Sequence, residues 1–147
     1  MADIVRHANA TWTGDIQKGR AVADVPSGAL KNVSITAGSR FGEEPGTNPE
    51  ELIAAAHASC FSMQLSALLS REGHPPQEIR THATLTMRRL EAGFKIYKIH
   101  LATEGKVPGI DEAAFRTVAE KAKEVCPVSG LLKPGLETLT LEAKLVS

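Results

Sequence analysis

Two cysteines, Cys60 and Cys126, are the side chains in this sequence best suited to chemistry. A thiolate is a nucleophile, a metal ligand and the first rung of an oxidation ladder that leads through sulfenic acid to a disulfide. Cys60 lies in a long apolar stretch, where a cysteine ordinarily serves as a small hydrophobe. Its neighbours at helical spacing set it apart. His57 stands three residues earlier and Gln64 four later, so the thiol has polar company on an otherwise apolar helix. Cys126 precedes Pro127 at a helix break, where a following helix N-terminus would lower a thiol pKa. His57, Cys60 and Cys126 could in principle ligate a metal. With only three ligands and no Cys-x-x-Cys pair they do not form an ordinary zinc pattern, so neither a metal nor another cofactor is expected.

The element that must position Cys60 is a helix running from Asn48 to Gly73. Asn48 is a good N-cap, Pro49 suits the first helical position, and Glu51 stands three after the cap as in a capping box. Glu50 and Glu51 also place negative charge at the positive end of the helix dipole. Gly73, followed by His74-Pro75-Pro76, is the stop. No Asp, Glu, Lys or Arg occurs between Glu51 and Arg71, and Leu52, Ile53, Phe61, Met63, Leu65, Leu68 and Leu69 surround the axis. A helix apolar on all sides must be covered on all sides. The serines, Gln64 and His57 within it, and the lack of Lys/Arg before it, speak for a protein core and against a membrane span. A single chain of 147 residues has little left to enclose such a helix, so a homodimer with two of them packed about a two-fold axis is expected.

The first forty residues read as a three-stranded antiparallel meander: Ala10 to Ile16, Gly19 to Val25 and Leu30 to Thr36. Ala37 to Thr47 reads as a loop that brings Arg40 close to the start of the central helix. After that helix come two long strands, Ile79 to Glu91 and Phe94 to Lys106, joined by Glu91-Ala92-Gly93. Asp111 caps a second helix whose stripe is Phe115, Val118, Ala119, Ala122 and Val125, with Ile110 and Phe115 as a hydrophobic staple. Cys126-Pro127 ends it and opens a short helix to Leu132. A final strand alternates Leu139, Leu141, Ala143 and Leu145 with polar residues. The order of strands, helix, strands, helix and strand is α+β, in a single domain over residues 1–147.

Lys+Arg and Asp+Glu are both 17, which leaves no electrostatic footprint for nucleic acid or for an anionic membrane. Aromatic residues are 4%, too few for base-stacking platforms. The opening MADIVRHANA lacks a basic-then-apolar leader pattern, so a cytoplasmic location is expected. In that compartment two cysteines point to redox chemistry before a structural staple.

The stretches Asn48-Pro49-Glu50-Glu51-Leu52-Ile53, Ala55-Ala56-His57-Ala58-Ser59-Cys60-Phe61 and Cys126-Pro127-Val128-Ser129 closely resemble the OsmC/Ohr family of thiol-dependent peroxidases. Gly46-Thr47, Val107-Pro108-Gly109-Ile110-Asp111 and the opening Trp12-Thr13-Gly14-Asp15-Ile16 extend the resemblance over nearly the whole chain. His57 and the Cys-Pro-Val-Ser form resemble the osmotically inducible (OsmC) branch. The organic hydroperoxide resistance (Ohr) branch usually has an aromatic residue at that histidine. The resemblance implies an OsmC-like fold, with a long buried helix packed on antiparallel sheets in an intertwined homodimer. It also implies reduction of organic hydroperoxides, and of hydrogen peroxide less well, in oxidative or osmotic stress defence. Cys60 would be the peroxidatic residue, Cys126 the resolving one, and an external thiol the reductant. By the Asn-Pro-Glu motif the family's site glutamate falls on Glu50. Its arginine falls on Arg40 by the OsmC pattern, or on Arg20 by the Ohr pattern; Arg40 is preferred.

Thiol chemistry gives those residues a physical purpose. A thiol buried in an apolar helix keeps its proton, and Cys60, in mid-helix, has no N-terminus of its own helix beside it. A buried guanidinium stays charged, favours the thiolate and can donate hydrogen bonds to the peroxide. A carboxylate such as Glu50 would hold that guanidinium in place. Apolar lining, with Leu52, Phe61 and Met63 as candidates, would favour alkyl or lipid hydroperoxides. The competing function is a non-enzymatic protein that binds a small hydrophobic ligand in a dimer-interface cavity, its cysteines merely packed.

Overall fold

The computed structural model describes residues 1–147 as two compact units, residues 1–52 and 53–147. Unit one is the expected meander. Strands β1 (Asn9–Thr13), β2 (Arg20–Asp24) and β3 (Val33–Thr36) pair antiparallel in the order β1-β2-β3. The segment after β3 was expected to be loop throughout, but its first five residues form a helix, α1 (Ala37–Phe41). The reason is local: Thr36 accepts a hydrogen bond from the Ser39 N–H, and Ser39 Oγ accepts one back from the Thr36 N–H. This is a capping box built with serine instead of glutamate. Within residues 1–52 only Gly19 and Ser39 are buried, and neither contributes a hydrophobic side chain.

The central helix, α2 (Pro49–Arg71), begins in unit one and continues into unit two. The Glu51 N–H donates to Asn48 Oδ1 at 2.8 Å, as the cap requires. The Glu51 carboxylate does not return to the cap; it accepts from Thr47 Oγ1 instead. At the far end Gly73 takes φ +85°. The His74 N–H bonds the Leu69 carbonyl and the Gly73 N–H that of Ser70, a Schellman stop. By length and composition α2 could cross a membrane. In the chain it buries one stripe, His57, Phe61, Leu65, Leu68 and Leu69. The single chain leaves the other side of the helix open, as expected of a chain this size: Met63 there is 73% exposed.

Unit two gives that stripe its bed. Strands β4 (Glu78–Leu90) and β5 (Gly93–Lys106) form a long antiparallel hairpin with a bulge after Thr86. Its turn is tighter than expected, since Gly93 already pairs with Leu90 at φ +129°. Strand β6 (Thr138–Val146) joins β5 in parallel, so the second sheet is mixed where antiparallel sheets were expected. Between β5 and β6 the chain runs through α3 (Glu112–Val125) and α4 (Pro127–Leu132), a crossover long enough to return the strand in the same direction.

Asp111 caps α3 through the Ala114 N–H. Phe115, Val118, Ala119 and Ala122 are buried as expected, whereas Val125, at the helix end, is 49% exposed. Phe61, Leu65 and Leu69 of α2 and Phe115 of α3 belong to the same core as Ile99 and Leu101 of β5. A polar seam crosses it: Ser62 Oγ donates to Thr81 Oγ1 at 2.8 Å, and Thr81 is hydrogen-bonded to Thr103 at 2.9 Å.

Strand β5 and helix α3 pack tightly at Gly105, where an added Cβ would stand 2.6 Å from two ring carbons of Phe115. Gly105→Ala is therefore expected to destabilise the chain by roughly 1–3 kcal/mol through overpacking. Phe115→Ala should cost roughly 3–5 kcal/mol by leaving a cavity, and Leu131→Ala, at an exposed position, less than about 0.5 kcal/mol. Urea unfolding followed by circular dichroism orders the three; a Gly105→Ala chain as stable as the Leu131→Ala chain would show the β5–α3 contact to be loose.

Candidate active site

Capping places Cys126 where it can react. It is the residue at which α3 stops and α4 starts, held by its own N–H to Ala122 O and by the Gly130 N–H to Cys126 O. There it is almost wholly buried, and its Sγ donates to Cys60 Sγ at 3.3 Å. Both thiols are free. The separation exceeds an S–S bond of about 2.0 Å by little more than an ångström.

Cys60 itself is half-buried. Burial pushes its thiol pKa above the ordinary value; the Val128 N–H, which hydrogen-bonds the sulfur, acts in the opposite direction, and the Cys126 thiol adds to the rise. Cys60 is in mid-helix as expected, without the start of its own helix beside it. The sulfur is served by the first turn of a second helix, α4, rather than by its own. No feature of Cys60's immediate sequence signals Val128. The signal was in the Cys126-Pro127-Val128-Ser129 run, which opens the helix that delivers it.

One turn earlier on α2, His57 is fully buried and its Nε2 lies 2.7 Å from Ser129 Oγ, itself buried on α4. Desolvation holds the imidazole pKa below its usual value, so the ring is neutral at neutral pH. Its Nδ1 is buried without a hydrogen-bond partner. A further turn back, Ile53 of α2 and Leu132 of α4 line one cavity of about 130 Å³ with Leu85, Ile96, Ile99 and Leu136. The helices thus run antiparallel: Cys60 meets Cys126, His57 meets Ser129, and Ile53 faces the cavity that Leu132 shares. Phe61, expected to line the reactive thiol, is instead packed in the core.

The other two site candidates meet each other in unit one. Arg40 Nε donates to both carboxylate oxygens of Glu50, at 3.1 and 3.2 Å, and a terminal nitrogen donates to Oε1 at 2.7 Å. This fork fixes the guanidinium plane. The Arg40 guanidinium also lies 5.0 Å from the Phe41 ring centroid. What sets the pair is the tie between α1 and the start of α2: Ser39 Oγ donates to Thr47 O, and Asn48 Nδ2 donates to Ser39 O. Arg20, at the start of β2, is exposed and makes no ion pair. Among the two arginine candidates, therefore, Arg40 is the one paired with Glu50. Glu50 and Cys60 are ten residues apart on α2, about 15 Å along a helix axis. The side chains fall into two pairs, Arg40 with Glu50 and Cys60 with Cys126. No group of His, Cys, Asp and Glu is arranged to hold a metal ion.

The profile of the OsmC-like protein family matches residues 42–140. The chain is 44% identical over 144 residues to peroxiredoxin OsmC of Escherichia coli (strain K12), covering 98% of this chain and 99% of that protein. It is 34% identical over 138 residues to the organic hydroperoxide resistance protein of Xanthomonas axonopodis pv. citri, covering 91% and 92%. The crystal structure of the organic hydroperoxide resistance protein OhrB of Bacillus subtilis matches with a TM-score of 0.70 at 25% identity, over 93% of this chain and 97% of that one. With a family profile over residues 42–140 and relatives of 44% and 34% identity along nearly its whole length, this chain belongs to the OsmC-like family.

Proposed function

We propose that this protein is a thiol peroxidase that reduces organic hydroperoxides, and hydrogen peroxide less well, with Cys60 as the attacking sulfur. The observation that carries the reading is the pair of free thiols 3.3 Å apart at the junction of α2, α3 and α4. The relatives' names, peroxiredoxin and organic hydroperoxide resistance protein, support a peroxidase role. The Cys60 thiolate attacks the distal peroxide oxygen, the O–O bond breaks, and the alcohol leaves with a proton. Cys60 is left as a sulfenic acid. The Cys126 sulfur then attacks Cys60 Sγ, the S–S bond forms and water leaves with the thiol proton. An external dithiol resets the pair by exchange. Of the two sulfurs, Cys60 is the more accessible and takes the Val128 N–H, which supports giving it the first step.

Arg40 is the cation that we assign to this thiolate, oriented by Glu50. One chain does not supply it easily along one straight helix. Ten residues separate Glu50 from Cys60 on α2, a turn of about 80° as well as about 15 Å. We assign Arg40 and Glu50 to the site of the partner in a homodimer. Two facts support a second copy. Residues 1–52 bury no hydrophobic side chain, which also favours reading residues 1–147 as one domain, and α2 keeps one side open although it carries no charge between Glu51 and Arg71. A second copy, rather than lipid, would cover that side. The rival reading, a binding protein for a small hydrophobic ligand, draws on the apolar cavity shared by Ile53 and Leu132.

Stoichiometric cumene hydroperoxide added to the reduced protein decides between them. Loss of both thiols with the mass of an internal disulfide is expected; survival of both thiols in excess peroxide would end the peroxidase reading. Cys60→Ser should abolish peroxide consumption. Cys126→Ser should allow one turnover and leave a dimedone-reactive sulfenic acid on Cys60, and dimedone found on Cys126 of the Cys60→Ser chain would reverse the roles.

Removing the cation should leave burial unopposed except by the Val128 N–H. Arg40→Met is thus expected to move the midpoint of the pH–alkylation profile upward and to slow peroxide attack at neutral pH at least tenfold, because a higher thiol pKa means less thiolate there. Profiles that coincide would remove Arg40 from the site.

Subunit mixing tests the shared site. Cys60→Ser and Glu50→Ala chains, each inactive alone, should recover activity as heterodimers carrying one intact site. Heterodimers seen by native mass spectrometry with no recovered turnover would sink the assignment.

A further inference from the structure

The proposed reaction uses Cys60 and Cys126 and leaves unexplained the buried pair beside them, His57 and Ser129. Their placement is unusual in two ways. First, α4 has only six residues, too short to hold its own place without tertiary anchors. Of those six residues Ser129 alone is fully buried, 1% exposed; Val128 and Leu132 are only partly buried against the core, and Leu131 is 77% exposed. The one fully buried anchor of α4 is therefore a hydroxyl, hydrogen-bonded to His57. Secondly, His57 stands one turn from Cys60 on α2, and Ser129 one turn from Cys126 at the start of α4. The hydrogen bond is the rung next to the sulfur pair.

From this juxtaposition we infer that the His57–Ser129 hydrogen bond is a register latch: it holds α4 against α2 so that Cys126 closes onto oxidised Cys60 without α4 unfolding. The inference rests on the peroxidase reading for the identity of the oxidised sulfur, and His57 and Ser129 are positioning residues within it. The geometry gives the reason. The sulfurs are 3.3 Å apart and a disulfide needs about 2.0 Å, so side-chain rotation covers most of the difference. What closure cannot tolerate is sliding or fraying of α4, which would carry away Cys126 and the Val128 N–H together. Apolar contacts allow such sliding. A buried, directional bond at 2.7 Å resists it, because breaking it strands both a hydroxyl and an imidazole nitrogen away from water. Closure is the step at risk, since a sulfenic acid that waits is open to a second peroxide and conversion to sulfinic acid.

The test separates the two steps in time. Single-turnover oxidation by cumene hydroperoxide is followed by quenching, dimedone labelling and mass spectrometry of Cys60 and Cys126. Ser129→Ala and His57→Leu are expected to slow the first step by no more than about threefold, through partial loss of the Val128 N–H. They should slow disulfide closure at least tenfold and accumulate Cys60 sulfinic acid at excess peroxide. His57→Gln, whose side-chain nitrogen can reach the same hydroxyl, is expected to restore closure to within about threefold. Closure unchanged in Ser129→Ala, or both steps slowed equally with no rescue by His57→Gln, overturns the latch.

Two measurements guard the outcome. Closure driven by diamide needs no peroxide, so a wild-type protein that ignores hydroperoxide refutes the peroxidase reading while the latch is still tested by comparing wild type with Ser129→Ala. In the wild-type protein, which needs no variant to fold, the Gly130 amide reports the first hydrogen bond of α4, to Cys126 O. Its hydrogen exchange should agree within about threefold between the dithiol and disulfide forms, and a tenfold loss of protection on oxidation would show that α4 opens to close the bond, against the latch.

Discussion

The constraint on which the rest depends is the cost of leaving α2 uncovered. From Leu52 to Ser70 the helix has no charged side chain, so water has little to solvate and the hydrophobic effect favours cover on every side. Unit two meets this on one stripe only, where Phe61, Leu65, Leu68 and Leu69 meet the sheet and α3. The hydroxyl chain through Ser62, Thr81 and Thr103 keeps the polar atoms of that contact satisfied. Unit one shows the same incompleteness from the other direction, a meander with no hydrophobic side chain buried. Three strands without a covered face are marginal on their own. Two deficits of opposite kind in one chain are what a symmetric, interlocked pair resolves at once, and this is the physical ground on which the dimer enters the proposal.

The same burial governs the chemistry. A desolvated thiol resists ionisation, and the rise at Cys60 persists even with the Val128 N–H on its sulfur. One N–H opposes burial without bringing the thiol back to its ordinary value. A full positive charge in the same low-dielectric place has the greater reach, and Arg40, locked to Glu50 by three short contacts, is already oriented for such a role.

Much of this was legible in the sequence because it was local. Asn48 and Gly73 bound α2, Asp111 starts α3, and Cys126-Pro127 both ends α3 and starts α4, each through hydrogen bonds that a few adjacent residues determine. Where the reading fell short, the missing information was of two kinds. Helix α1 hides in a Gly-rich segment because Ser39, not glutamate, completes its capping box with Thr36. The parallel setting of β6 was hidden because alternation of Leu139, Leu141, Ala143 and Leu145 is the same in either direction. Only the crossover through α3 and α4 decides it. The Val128 N–H and Ser129 hydroxyl were invisible as site groups for another reason. They act on residues 68 and 72 positions away, and no periodicity reports such a meeting.

That meeting nevertheless has an internal logic in the two helices themselves. Going backward along α2, Cys60, His57 and Ile53 are spaced by three and four residues, one helical turn at a time. Going forward along α4 and its cap, Cys126, Ser129 and Leu132 are spaced by three and three. Antiparallel helices with matched spacing present a reactive level, a hydrogen-bonded level and an apolar level in the same order. In the proposed reaction each level has a different physical duty: the apolar one excludes water, the polar one sets register, and the sulfurs react within the register so set. Apolar contact alone would fix the distance between the helices but not their offset, since neighbouring apolar side chains are nearly interchangeable along a groove. A chemistry that a misplacement of about an ångström can slow a hundredfold needs the offset as well, and a directional bond one turn away is the shortest lever that can supply it.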